Sequence, residues 1–291
     1  MTYFGIANLN YFENDLNVFP NISEKILLKN IKNNINYDIS INYEEKVHLQ
    51  NVINYDATPI LYQHRSNDSL KDIWKNINHG DIVTNRASKR SLTKDDKGVI
   101  VEKKWIEFDD DKHDKMIYLI TKTNNEINVS IEKLQIGIYA PNIVFNVLPN
   151  QPSYTVYRYI KRFNVELQCF EHYTCEIDGF VKSEINNQVI YTPVEFKTME
   201  ILKKQQRLDI DDLWDGAKTS IAVQCQLSEI NNVIFGFRNN LSMKLKYGDI
   251  PTIINGLEYK VRNAFKRMER NTLKIIQQCK HSQDLSINDH Q

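Results

Sequence analysis

Between residues 98 and 198 the apolar side chains repeat with a period of two, and that alternation limits the folds open to this chain. "GVIVEKKWIEF" and "KMIYLITKT" follow it, joined by the polar turn "DDDKHD". "VYRYIKRFNVELQCF", "TCEIDGF" and "VIYTPVEFKT" continue it, and "DIVTNR" reads as one more strand just upstream. Successive residues of a strand point to opposite faces, so each segment offers one face to a core. After Thr198 the period lengthens. "MEILKKQQRLDIDDLWDGAKTSIAVQCQLSEI" reads as one or two helices, "NNVIFGFRNN" as a strand and "TIINGLEYKVRNAFKRMERNTLKIIQQCK" as a long helix. Strands followed by helix, strand and helix predict an α+β, or mixed α/β, domain.

Two further helices are expected upstream. "SEKILLKNIKNN" starts at a capping Ser23 with Glu24 in its first turn. "SNDSLKDIWKNINHG" places Leu70, Ile73, Trp74 and Ile77 at helical spacing and stops at Gly80. In the last helix Ile254, Leu257, Val261, Phe265, Met268 and Ile276 form the apolar stripe. Its other side carries Lys260, Arg262, Lys266, Arg267, Arg270 and Lys274, a face that is either simply solvated or in contact with RNA or a protein partner. Trp74, Trp105 and Trp214 read as core residues rather than base-stacking platforms. His64, His79 and His172 read as ordinary surface or core histidines. Glycine and proline, 9 and 7 in number, mark no linker, so residues 1–291 are expected to form a single domain. Its core spans about 60–280, and the polar tail 281–291 is expected to be disordered.

Lys+Arg and Asp+Glu both number 37, so no global field attracts nucleic acid. Any RNA-binding surface must come from local segregation of charge. Cys169, Cys175, Cys225 and Cys279 lack zinc-ligand spacing and read as buried thiols. The start shows no signal-peptide pattern, and no apolar run nears the roughly 18 residues of a membrane span. These features predict an intracellular protein, nuclear or cytoplasmic, with no membrane partner.

"CEIDGFVKSEINNQVIYTPVEFKT", Cys175–Thr198, holds the chemically suggestive residues. Residues i and i+2 of a strand share a face, which pairs Glu176 with Asp178 and Glu195 with Lys197. "SEINNQ" supplies turn residues, so the two strands are expected to form a hairpin that sets the four side chains together. Gathered carboxylates repel one another, and a divalent cation relieves that repulsion. Glu-x-Asp followed by Glu-x-Lys is the pattern of PD-(D/E)xK nucleases. A plain mixed-charge surface hairpin is the alternative.

Five separated blocks together resemble the decapping exoribonuclease (DXO) family, which includes the fungal nuclear partner of the large 5′→3′ exoribonuclease. They are "DIVTNR", "GIYAP", "CEIDGF", "PVEFKT" and "AVQCQLSEINNVIFGFR", in order over residues 60–280. The resemblance implies two β-sheets flanked by helices, with a cleft between them and a PD-(D/E)xK-like core. It implies removal of triphosphate, incomplete caps or NAD caps from RNA 5′ ends, leaving a 5′ monophosphate, with further 5′→3′ degradation in some members. Carried over, Glu176, Asp178, Glu195 and the Phe196 carbonyl would bind Mg²⁺ or Mn²⁺. Lys197 and Gln224 would position the water, and Arg86 would hold a substrate phosphate, which suits its planar fork. Lys203, Lys204 and Arg207 follow the Glu-x-Lys strand and are candidates to line the RNA path.

The chain departs from the family at Pro141, where the family has a metal-binding glutamate, and at Glu229-Ile230, where it has Gly-Val. The second reading is therefore a catalytically weakened member that binds RNA or an exoribonuclease. A third is a different PD-(D/E)xK nuclease, acting on DNA.

Overall fold

The chain passes from one β-sheet to another at a single residue, Asp178, and the molecule is arranged around that crossover. The computed structural model describes residues 2–5, 11–13, 26–27, 36–38, 58–66, 70–107, 114–123, 140–141, 144–145, 156–200, 209–238 and 242–288. Among them, thirteen strands make two sheets.

The first sheet has seven strands: β1 (Thr2–Gly5), β2 (Tyr11–Glu13), β5 (Ile82–Asn85), β6 (Val99–Ile106), β7 (Lys115–Lys122), β8 (Val156–Asn164) and β9 (Cys169–Ile177). Their order is β2-β1-β8-β9-β5-β7-β6, and β5 runs parallel to both its neighbours. The second has β3 (Ile26–Leu27), β4 (Asn36–Asp38), β10 (Gly179–Ile185), β11 (Gln188–Glu200), β12 (Asn232–Arg238) and β13 (Ser242–Asp249), in the order β3-β10-β11-β12-β13-β4. Helices accompany them, among the described residues α1 (Ile60–Gln63), α2 (Lys71–Lys75), α3 (Arg86–Leu92), α4 (Asp215–Leu227), α5 (Ile250–Ile253) and α6 (Glu258–Asn288). The α+β class with two helix-flanked sheets is as expected.

Strands β10 and β11 form the expected hairpin. Asn186 and Asn187 turn it with φ of 51° and 62°, the left-handed pair a two-residue hairpin turn requires. Strands β11 and β12 are parallel, so a crossover must join them, and α4 lies within it. Helices α4 and α6 lie over one continuous core. That core takes Ile82, Tyr118 and Ile120 from the first sheet, Val233, Phe235 and Phe237 from the second, and Val261, Met268 and Ile276 from α6.

Several expectations change. Ile26 and Leu27, read as part of a helix, pair in parallel with Phe180 and Val181. Helix α2 ends at Lys75, not at Gly80, because the Asn76 side chain folds back to donate to the Asp72 carbonyl at 2.7 Å. The long C-terminal helix divides into α5 and α6, and α6 continues to Asn288 through most of the segment expected to be disordered. Trp74 is buried, but Trp105 and Trp214 are 66% and 74% exposed. Trp105 lies on the outer strand β6, and Trp214 precedes α4. "DDDKHD" lies outside the described residues apart from Asp114.

Two buried polar groups fix the first sheet. His172 bridges Tyr159 at 2.6 Å and Asp81 at 2.9 Å. Lys89 of α3 pairs with Glu171 of β9, both out of water. Burial works against the Glu171 charge, but Lys89 and Asn164 outweigh it and hold the carboxyl below the usual glutamate range. Lys89→Ala is expected to lose about 3–5 kcal/mol of unfolding free energy at pH 7, read by urea titration. A depressed carboxylate contributes fully above its unfolded pKa of about 4.3, and the contribution disappears as pH falls through the lower folded value. The gap between wild type and Lys89→Ala should therefore narrow in strong acid.

Candidate active site

The middle of strand β11 is buried on both faces, with Val194, Glu195 and Phe196 at 0%, 0% and 4% exposure. Val194 and Phe196 pack with Ala140, Val144, Phe145 and Ile234 in a second core cluster. Glu195 points the other way. An ionised carboxylate there must be compensated, since its desolvation costs several kcal/mol.

Three side chains compensate it. Arg86 Nη1 donates to Glu195 Oε2 at 2.6 Å. Lys197 Nζ and Gln224 Nε2 each donate to Oε1 at 2.5 Å. Arg86 comes from the first turn of α3, which Asn85 caps by accepting from the Ser88 amide. Lys197 lies two residues along β11, and Gln224 lies on α4. Ser228 supports both helices: its Oγ accepts from Arg86 Nη1 at 2.9 Å and donates to the Gln224 carbonyl at 3.1 Å. Arg90, one turn beyond Arg86, donates to Gln224 Oε1 and to Ser220 Oγ, both at 3.0 Å. With Oε1 accepting from Arg90, the Gln224 amide presents Nε2 to Glu195.

Burial disfavours ionisation of Glu195, but the Arg86 and Lys197 charges outweigh it and hold the carboxyl down at about 2. Burial also disfavours the Arg86 cation, yet the neighbouring carboxylates, Glu195 foremost, make it hold its proton more firmly than usual. Arg90 is shifted down, by burial and then by repulsion from Arg86.

Asp178 occupies the crossover between β9 and β10. Its Oδ2 accepts the Phe196 amide at 2.7 Å, which fastens the junction to β11 where the hairpin ladder begins at Gly179–Val194. Burial, and then the Glu195 charge, push its carboxyl up to about 7 against the pull of Lys197 and Arg86. The junction depends on Gly179, because a Cβ there would lie 2.2 Å from the Phe145 ring. Pro141 sits in the turn that positions Phe145, its carbonyl accepting the Phe145 amide at 2.8 Å. As a proline it brings no carboxylate to the site.

The predicted residues are only partly brought together. Arg86, Glu195, Lys197 and Gln224 form one cluster, and Asp178 faces its charge. Glu176 is exposed on β9, opposite Tyr157, and acts on Asp178 and Arg86 only through its field. The picture of three carboxylates on one hairpin is thus corrected: Glu176 is on the first sheet, Asp178 at the crossover and Glu195 on the second. Among the described residues no three His, Cys, Asp or Glu side chains are already gathered as a metal shell. Lys203, Lys204 and Arg207 lie outside the described residues. Arg90, Ser220 and Ser228 were missed. Finding Arg90 required reading "RASKRSL" as a helix, for which Asn85 as a cap was the available signal.

The donors suit a hard divalent cation. Asp178 and Glu195 offer oxygen, and the raised Asp178 carboxyl marks a repulsion that such an ion would relieve. Without metal, a folded pKa above the unfolded one means that stability is highest below the unfolded value of about 3.9, falls as pH rises toward about 7 and levels off above it. Asp178→Asn keeps an acceptor for the Phe196 amide but not the charge. Its metal-free unfolding free energy should exceed that of wild type most at pH 8 and converge on it only as pH falls below the unfolded aspartate pKa of about 3.9, as measured by denaturant titration in EDTA.

No protein-family model matches the chain, and no curated protein matches it in sequence. Solved structures do. Rai1 of Scheffersomyces stipitis aligns at 13% identity over 95% of this chain and 82% of that one, with a TM-score of 0.57. The same protein in complex with (3'-NADP)+ and calcium ion aligns at 12% identity over 95% and 80%, with a TM-score of 0.55. The two chains share a fold.

Proposed function

We propose that this chain is a decapping exoribonuclease family member, a metal-dependent hydrolase acting on RNA 5′ ends. The observation that carries the reading is the buried Glu195, held by Arg86, Lys197 and Gln224 and facing Asp178. The five sequence blocks support it, as does the fold shared with Rai1, itself a member of that family. That Rai1 has been solved with (3'-NADP)+ and a calcium ion fits a site for a nucleotide 5′ end and a divalent cation.

In this reading Asp178, Glu195, the Phe196 carbonyl and Glu176 are the groups that would hold Mg²⁺ or Mn²⁺. Such an ion, when bound, would supply Lewis-acid activation of water and charge neutralisation at the phosphoryl group. Arg86 turns its planar fork to a substrate phosphate, staying fixed by Ser228. Lys197 and Gln224 orient the attacking water, and Arg90 acts as a positioning residue by setting the Gln224 amide. The substrates are triphosphate, incompletely capped or NAD-capped RNA, the product is 5′-monophosphate RNA, and an exoribonuclease that consumes this product is the natural partner. The nucleus or cytoplasm, where such RNA occurs, is the expected compartment.

One observation favours a second reading. Lys197 and Arg86 already occupy both Glu195 oxygens, and Pro141 supplies no further carboxylate. A weakened catalyst that binds RNA or an exoribonuclease fits that arrangement.

The test is hydrolysis of triphosphate-, cap- and NAD-ended RNA with Mn²⁺ present. Wild type is expected to turn over at least one of them, and Mn²⁺ to raise its melting temperature by linkage. Glu195→Gln and Asp178→Asn should each lower the rate by at least about 100-fold, the scale of losing one electrostatic contact to the transition state. Full activity in both variants rejects the site. RNA binding without turnover of any substrate selects the second reading.

A further inference from the structure

The site cluster borders a second cavity. A groove of about 590 Å³ lies between the end of α3, the start of α4 and the N-terminal half of α6. Arg90, Lys94, Lys260 and Arg267 line it. Against these four cations stands one carboxylate, Asp215, which is taken by Lys260 at 2.6 Å. In a chain of zero net charge this is a marked local segregation. The groove is also built. Arg267 Nε donates to the Thr93 carbonyl at 2.9 Å, and Arg90 is held by Ser220, another lining residue, and by Gln224. One guanidinium therefore joins the groove to the Glu195 cluster.

Trp214 stands at its edge, 74% exposed. Its ring lies over the first turn of α4, where any Cβ on residue 216 would come within 1.7 Å of it; only Gly216 allows the indole to fold down there. An exposed indole beside clustered cations is the combination that single-stranded nucleic acid uses, a π-face for a base and positive charge for the backbone.

We propose that this groove is a subsite for single-stranded RNA that takes the nucleotides following the 5′ end, with a base stacked on Trp214 and phosphates against Arg90, Lys94 and Arg267. The proposal rests on the reading of the neighbouring cluster as a 5′-end hydrolase, and it gives that site a path for its substrate.

The test measures binding without chemistry. A 5′-monophosphorylated oligouridylate of about ten nucleotides, within the range a single-strand groove covers, is titrated in EDTA and followed by anisotropy and intrinsic tryptophan fluorescence. Wild type is expected to bind it with quenching. Trp214→Ala should weaken binding about 5- to 150-fold, as loss of one stacked base implies, and abolish the quenching. Lys94→Glu, on an exposed side chain, should weaken binding and reduce the slope of log affinity against log salt by about 0.7 or more. Thermal melts confirm that both variants fold. Unchanged affinity with retained quenching in Trp214→Ala overturns the subsite, and so does equal affinity for a duplex, whose paired bases offer Trp214 no free face. Hydrolysis by wild type combined with normal binding by both variants rejects the groove and spares the hydrolase. The predicted binding losses without any hydrolysis keep the groove and reject the hydrolase.

Discussion

Glu195 carries a full negative charge where water does not reach, and much of the architecture serves to tolerate it. A lone buried carboxylate would cost several kcal/mol and would protonate instead. Here it stays ionised because donors from separate parts of the chain converge on its two oxygens: Arg86 from α3, Lys197 from its own strand and Gln224 from α4. The donors are themselves held, with Ser228 joining Arg86 to α4 and Arg90 joining Gln224 back to α3. The two helices and the second sheet therefore share one polar centre beneath their common apolar core. Loss of any one donor leaves the others facing an undercompensated charge, so the network has to form as a unit.

The crossover at Asp178 follows from the same constraint. Strand β9 belongs to one sheet and β10 to the other, and a single residue separates them. That residue places its carboxyl on the Phe196 amide, directly after Glu195, so the acidic group of the crossover and that of the second sheet meet with little freedom to part. Gly179 makes the sharp passage possible by leaving room for the Phe145 ring. The raised Asp178 carboxyl is the consequence: burial disfavours its charge first, and backbone geometry then sets it beside the Glu195 charge that Arg86 and Lys197 only partly neutralise.

Much of this was legible before any coordinates. Alternation in "VIYTPVEFKT" put Glu195 and Lys197 on one face, and the ordered blocks named Arg86 and Gln224 as their companions. What misled was the assumption that alternation continues across "CEIDGF". The strand stops at Ile177, so Glu176 and Asp178 are not i, i+2 neighbours on one ladder. Nothing local marks that stop except the glycine after it. The exposed indoles were misread for a related reason: hydrophobicity predicts burial on average, whereas Trp214 is placed by the helix start it precedes and by the glycine under its ring. Ile26–Leu27 shows the reverse, a helical local pattern overridden by pairing with a strand about 150 residues away.

If the centre takes a divalent ion, as proposed, one contact to Glu195 has to change. Glu195 cannot keep Arg86, Lys197 and Gln224 on its oxygens and also give a full share of lone pairs to a divalent ion. One donor has to yield, and Lys197 is the better candidate. It is the more exposed of the two cations, at 23% against 14%, its flexible stem lets the ammonium swing aside, and Arg86 is additionally fixed by Ser228. An ammonium released from Glu195 would stay close to it, where the proposed reading would need a water-orienting or charge-neutralising lysine. On this view the short Lys197–Glu195 contact is a resting contact that preserves the site's charge balance until a cation arrives. Pro141 then matters less, because the limiting resource at this centre is access to the carboxylates already present rather than the number of them.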